Sequence, residues 1–206
     1  PEPTLVYEFV EETPVVRRVN DAFEATFGYA EPEVLGASLD DYIVPADRAA
    51  EASDLNERVL GGEQLDVEIQ RRTADGEVRD FLLRNAPIPT TEGVQGYAIY
   101  TDITERKQSE ERVHALFEYS TDCIIETEFV EGEPVVRRVN EAFERTFGFD
   151  REGVVGRSLD EAIVPPDGDE EAARINRRIR DGEAVEREVT REIADGNVEF
   201  LLRAIP

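Results

Sequence analysis

The chain has 206 residues, 40% of them hydrophobic, and carries 48 acidic against 23 basic side chains, a formal net charge of -25. That length fits one or two domains of ordinary size, and no apolar run approaches the roughly 20 residues that a membrane-spanning helix needs. An acid excess of this size repels phosphate backbones and anionic lipid heads, so neither nucleic-acid nor membrane contact is expected of this segment.

Taken in chain order, TLVYEFV (4–10) is rich in β-formers, EETP turns the chain, and PVVRRVN (14–20) is a second strand, which makes a hairpin. Adjacent strand residues face opposite ways, so no more than one of Arg17 and Arg18, or of Arg137 and Arg138, could point inward. Asn20 stands where a helix should be capped before DAFEATF, and Gly28 ends that helix. A loop around Gly36 precedes a helix predicted from Asp47 to Leu60, stopped by Gly61 and Gly62. Leu65, Val67 and Ile69 then alternate with polar residues as a half-buried strand. Asp75-Gly76 signals a turn into the next strand, and VQGYAIYTD (94–102) supplies a fifth. Strands, a block of helices, then strands again describe an α+β domain with an antiparallel sheet and helices on one face.

Residues 14–45 recur 120 positions later, with 21 of 32 positions identical between PVVRRVNDAFEATFGYAEPEVLGASLDDYIVP and PVVRRVNEAFERTFGFDREGVVGRSLDEAIVP. Asn140 and Gly148 repeat the cap and the stop. A period this long means two copies of a domain rather than a solenoid. We therefore place a first domain at 1–103, a helical linker at 104–120 and a second domain at 121–206. VRDFLLR is one residue longer than VEFLLR, which predicts a β-bulge near Arg79 or Asp80 in the first copy. The second copy stops at FLLRAIP with no counterpart of Tyr97 to Asp102, so it is expected to be incomplete. With no methionine anywhere, even at position 1, a segment of a longer chain is expected; no secretory leader opens it.

RRVNDAFEATFGY, VLGASLDDYIVPAD, the Asp-Gly turn and the closing GYAIYTDITERKQ, in this order and largely repeated, resemble the PAS family of sensor domains with its PAC motif. The resemblance implies a five-stranded sheet in spatial order 2-1-5-4-3, with short helices closing a small apolar pocket. It also implies a sensory or dimerisation module of a larger signalling protein, commonly a histidine kinase. In the family an aspartate and a threonine tie the last strand to the helix that follows. That role carries over to Asp102 and Thr104, with Ile103 between them.

No Walker motif, kinase catalytic box or Ser-His-Asp set is present, so no catalytic residue and no metal site are assigned. The one histidine, His114, lies in the linker, and the one cysteine, Cys123, excludes an internal disulfide or CxxC site and is expected in the core. The flavin-binding branch of the family carries a cysteine after its helical block and the haem-binding branch an axial histidine. ASLDDYIVP and RSLDEAIVP have neither, so flavin and haem are not expected, which leaves an unidentified small organic ligand. The candidate pocket residues are Tyr7, Phe23, Phe27, Tyr42, Val67 and Phe81, with plain core as the alternative role. Arg187, in the place of Val67 between Val185 and Val189, either faces a carboxylate ligand or extends to solvent.

ERKQSEE (105–111) has no apolar stripe, while Val113, Leu116 and Phe117 share one face and are expected to dock on the second domain. Thr104 is expected to cap this helix, which runs to about Tyr119. It is either a signalling rod or a passive spacer. The 22 arginines against the single Lys107, together with the acid excess, resemble proteins of salt-loving archaea. The expected reading is a cytoplasmic tandem sensory segment, a homodimer with an output domain downstream, in a sensor histidine kinase. The alternatives are the input region of a transcription activator or a ligand-free dimerisation scaffold.

Overall fold

The computed structural model describes residues 1–91, 93–193 and 195–206. β1 (Thr4–Val10) and β2 (Thr13–Val19) form the first hairpin. Its turn holds Glu11 and Glu12 at φ 49° and 68°, both left-handed, as a two-residue turn matched to strand twist requires; the second copy places Gly132 at the corresponding position. Val16 and Val19 both face inward although three residues apart, which an unbroken strand forbids. The register resolves this, since Val6 pairs with Arg18 and Tyr7 with Val16, leaving Arg17 as an extra residue. Both Arg17 and Arg18 are therefore exposed, within the limit that no more than one of them could point inward.

α1 (Asp21–Phe27) starts where the Asn20 side chain accepts from the Phe23 N–H at 2.9 Å and stops at Gly28, φ 79°. Two short helices, α2 (Glu31–Val34) and α3 (Leu39–Ile43), occupy the stretch expected as a loop around Gly36. The predicted helix 47–60 is a 3-10 turn, Ala46–Arg48, followed by α4 (Ala49–Leu60). β3 (Asp66–Arg72), β4 (Val78–Thr90) and β5 (Gly93–Asp102) complete a sheet of order β2-β1-β5-β4-β3, all antiparallel. Phe23, Phe27 and Phe81 are fully buried between sheet and helices, with Phe27 stacked on Phe81 at 4.9 Å.

No bulge occurs at Arg79 or Asp80, contrary to expectation. The β3–β4 register runs unbroken from Asp66↔Arg84 to Arg72↔Val78. In the second copy it runs to Ile193↔Gly196, so the extra residue of the first copy is taken up at the turn.

α5 (Thr104–Glu118) follows β5 after a single residue, Ile103. The second copy comprises β6 (Ile125–Val130), β7 (Glu133–Val139), α6 (Glu141–Phe147), α7 (Arg151–Val154), α8 (Leu159–Ile163), a 3-10 turn Pro166–Gly168, α9 (Asp169–Arg180), β8 (Val185–Ile193) and β9 (Gly196–Ala204). The chain divides into two compact units, Pro1–Glu110 and Glu111–Pro206, so the division falls inside α5.

In the first unit β5 is bonded to both β1 and β4, whereas in the second the sheet is two separate hairpins, β6–β7 and β8–β9. Among the described residues no strand stands between them, and the apolar side chains that flank this place are less covered. Leu5 is buried but its counterpart Ile125 is only half-buried; Phe81 is buried and Phe200 half-buried; Cys123, expected in the core, is half-buried too. Two unpaired strand edges leave amide hydrogens open to water. Hydrogen exchange in this 206-residue chain is therefore expected to be markedly faster across β6, β8 and β9 than across β1, β4 and β5. Equal protection in the two copies would contradict this.

Candidate functional site

The inward row of β3 continues past Leu65 and Ile69 to Arg71, whose side chain is only 4% exposed. Burying a guanidinium is costly without partners, and three elements supply them. Its Nη1 donates to the Gln70 carbonyl at 2.7 Å and stands 3.5 Å from Glu51 Oε1 on α4. Tyr100 of β5 lies against it, and burial pushes that phenol up to about 12, with the Arg71 charge opposing. Asp40 of α3 accepts from Asn56 Nδ2 of α4 at 2.7 Å. Burial raises the Asp40 carboxyl above its ordinary value, while the Asn56 hydrogen bond and the Arg71 charge pull it back.

Arg71, Tyr100, Asp40 and Asn56 line one wall of a partly open cavity of about 40 Å³ between the sheet and α3 and α4. Leu39, Leu55, Leu65 and Leu83 form much of the apolar wall, and Tyr7 and Asn85 complete the polar one. Asn85 is held by both its atoms: Oδ1 accepts from the Leu65 N–H at 2.6 Å and Nδ2 donates to the Tyr7 hydroxyl at 3.2 Å. The Tyr7 ring lies across Gly96 of β5, where any Cβ would stand 2.6 Å from the Tyr7 hydroxyl oxygen. Outside, a groove of about 460 Å³ runs between the start of β2, α3 and α4. Asp40 and Asn56 line both spaces, so their hydrogen bond forms part of the partition between groove and cavity.

The second copy repeats part of this set. Asp160 accepts from Asn176 at 2.6 Å, and Arg191 is buried with its Nη1 on the Thr190 carbonyl at 2.7 Å. Burial lowers the Arg191 pKa and raises that of Asp160. The tyrosine pair is not repeated: Thr127 stands at the position of Tyr7, and no described residue corresponds to Tyr100.

Of the pocket residues expected from sequence, Tyr7 alone lines this cavity. Phe23, Phe27 and Phe81 form the aromatic core beside it, and Val67 is half-buried against that core. Tyr42 stacks edge-on to Tyr29 at 5.1 Å and donates its hydroxyl to the Glu33 carbonyl. Arg187 lies at the rim of β8, 41% exposed, with Nη2 2.5 Å from Glu171 Oε1 on α9. Arg71, Asp40, Asn56 and Asn85 were missed. The inward parity that singled out Arg187 extends to Arg71 and Arg191, and the recurrence of Asp40, Glu51, Asn56 and Arg71 at a spacing of 120 was a readable signal.

α5 is tied at both ends. At its start the Asp102 carboxylate accepts from the Thr104 N–H at 2.9 Å, so Asp102 rather than Thr104 caps the helix. The Thr104 hydroxyl instead bridges to β4, accepting from the Asp80 N–H at 3.0 Å and lying 3.3 Å from the Asp80 carbonyl. The Ile103 N–H donates to that same carbonyl at 2.9 Å, and Lys107 reaches Glu68 and Asp80 at 2.9 and 3.1 Å. At the far end Asn140 Nδ2 donates to the Phe117 carbonyl at 3.0 Å, and its Oδ1 accepts from Ile124 and from Phe143, the α6 N-terminus. Glu118 pairs with Arg151 at 2.8 Å and Arg138 at 3.4 Å, and Arg138 stacks 3.9 Å over the Phe117 ring. Docking on the second unit thus runs through Phe117 and Glu118. Val113 and Leu116, expected to share it, are 63% and 69% exposed.

Among the described residues no helix is long and apolar enough to cross a membrane, and no group of three or more His, Cys, Asp or Glu side chains is placed to hold a metal ion. No curated protein matches the chain. Solved structures that resemble it include an RNA-binding light-oxygen-voltage receptor, at 22% identity and TM-score 0.48 over 56% of this chain and 33% of that one. Others are the light-oxygen-voltage domain of a blue-light activated histidine kinase from Erythrobacter litoralis, at 19%, TM-score 0.45, 50% of this chain and 97% of that one, and the PAS domain of an HTR-like protein from Haloarcula marismortui, at 24%, TM-score 0.41, 50% and 82%. The family model for the PAS domain matches residues 1–105 and again 121–206. Both matched stretches coincide with the two copies of the strand-helix-strand unit, and the chain belongs to the PAS domain family, with two such domains in tandem.

Proposed function

We propose that this chain is the tandem sensory input segment of a cytoplasmic sensor histidine kinase from a high-salt organism, working as a homodimer, with α5 carrying the signal from the first domain to the second. The observation that carries the coupling is the pair of anchors on one unbroken helix, Thr104 on Asp80 at its start and Phe117 on Asn140 at its end. A displacement of β5 against β4 has no loop in which to dissipate before it reaches α5. Exposed Val6 and Tyr97, cross-strand neighbours on the helix-free face of the first sheet, together with Val113 and Leu116, are apolar surface that a second copy would cover.

Flavin and haem have no part in this reading. The cavity of about 40 Å³ is far smaller than either group, and no cysteine or histidine lines it. The segment acts through binding and transmission rather than catalysis.

The test is phosphotransfer in the full-length protein. Incubation with ATP is expected to yield phosphohistidine, and Thr104→Val is expected to change its rate of formation at least about threefold while the melting of each domain changes little. Absence of phosphohistidine rules out the kinase output; an unchanged rate in Thr104→Val rules out α5 as the coupling element.

A further inference from the structure

The cavity of the first domain is donor-rich. Tyr7 and Tyr100 are 4% and 3% exposed, and among the described residues neither phenolic proton has an acceptor. Tyr7 only accepts, from Asn85. The third donor is Arg71, a full positive charge at the same wall. Buried donors without acceptors are costly, and a cavity of about 40 Å³ holds about three waters or about four heavy atoms. We propose that this cavity is a binding site for a small planar monoanion, a short-chain carboxylate or nitrate, received by Arg71, Tyr7 and Tyr100 and admitted from the outer groove past the Asp40–Asn56 pair.

A planar two-oxygen edge matches a guanidinium better than a spherical or tetrahedral ion does, and phenolic protons complete the set that an oxyanion accepts. The apolar wall of leucines leaves room for a methyl group and none for a second charge. The acids nearby do not forbid an anion. Glu51 faces Arg71 as an ion pair at 3.5 Å, with its Oε1 making no hydrogen bond, and burial shifts Asp40 toward its neutral form. The groups that face Asp40 are Arg71 of β3, Tyr100 of β5, Asn56 of α4 and Asp41 of its own helix. Of these, Asp41 disfavours its charge and Arg71 and Asn56 favour it. Anion uptake coupled to a proton on Asp40 leaves the net charge of the interior unchanged, so affinity falls as pH rises. Among the described residues the second domain has Asp160, Asn176 and Arg191 but neither phenol, and Arg187 takes Glu171; in this 206-residue chain it is the internal control.

This proposal rests on the sensor reading only for its biological meaning. Binding is measured on the 206-residue chain without any output, so its failure and the failure of the phosphotransfer test are separable. Sodium acetate and sodium nitrate are titrated at constant ionic strength in sodium sulfate, followed by amide and Arg Nε–H resonances. Saturable shifts are expected around Arg71, Asn85 and Tyr100, with none at Arg191. Tyr7→Phe, which keeps the ring and its packing, is expected to weaken binding about tenfold by removing one hydrogen bond to a charged acceptor. Ala98→Leu, which fills the cavity, is expected to abolish it. Shifts that are non-saturable, or equal at Arg71 and Arg191, overturn the proposal as an ionic-strength effect, and unchanged affinity in Tyr7→Phe overturns the assigned donors.

Discussion

Gly96→Ala is expected to lower the melting midpoint of the first domain by roughly 12 °C or more, the equivalent of about 3 kcal/mol for a domain of this size. The added methyl carbon would lie 2.6 Å from the Ala86 carbonyl oxygen, 2.6 Å from the Tyr7 hydroxyl and 2.8 Å from Tyr7 Cζ. One of these is backbone in the neighbouring strand and the others belong to a ring pinned by Asn85, so no flexible side-chain end can move aside. β5 is also the one strand that joins β1 to β4, so any displacement at Gly96 is felt on both sides of the sheet. The cause can be isolated by a cycle: in a Tyr7→Ala background the same substitution should cost about half as much, because only the Ala86 contact remains. A Gly96→Ala protein melting within about 2 °C of the parent would show that the close approach carries no constraint.

Transfer from about 3 M to about 0.1 M sodium chloride is expected to destabilise both domains strongly, by more than about 10 °C in midpoint. A net charge of -25 on 206 residues opposes the compact state, since unfolding lets the charges separate. The Debye length grows from about 3 Å at 1 M to about 10 Å at 0.1 M, so repulsion silent in brine reaches across the surface in dilute buffer. Local pairs do not compensate: many ion pairs here, such as Arg106–Glu110 and Arg145–Glu141, join exposed side chains, where each contributes little. Potassium chloride should protect as well as sodium chloride if screening is the cause. A midpoint that does not depend on salt would remove the high-salt reading of the composition.

Much of the first domain was legible because local rules and tertiary packing agree there. Asn20 and Gly28 bound α1 as expected, since a capping side chain and a left-handed stop act within one turn of helix. The alternation in β3 and the Asp75-Gly76 turn were read correctly up to Ile69. Arg71 went unassigned, although its parity with Leu65 and Ile69 already put it inside. The bulge at Arg17 leaves a trace in the odd spacing of Val16 and Val19, whereas the separate bulge expected near Arg79 or Asp80, where only a length difference pointed, does not occur. Length differences say that a residue is accommodated somewhere; only paired registers say where.

Taken alone, the sequence determined the duplication, the order of strands and helices in each copy, and the helix running directly out of β5. These follow from periodicity, capping residues and internal repetition, all carried by neighbours along the chain. Only the tertiary structure decided that Tyr7, Arg71, Asn85 and Tyr100, spread over four strands, share one cavity wall, that Asp40 and Asn56 close it, and that Thr104 reaches across to β4 while Asp102 caps α5. Such meetings depend on which strand lies beside which and on where each side chain finds a partner, and pairings between distant residues leave no local trace in a single sequence.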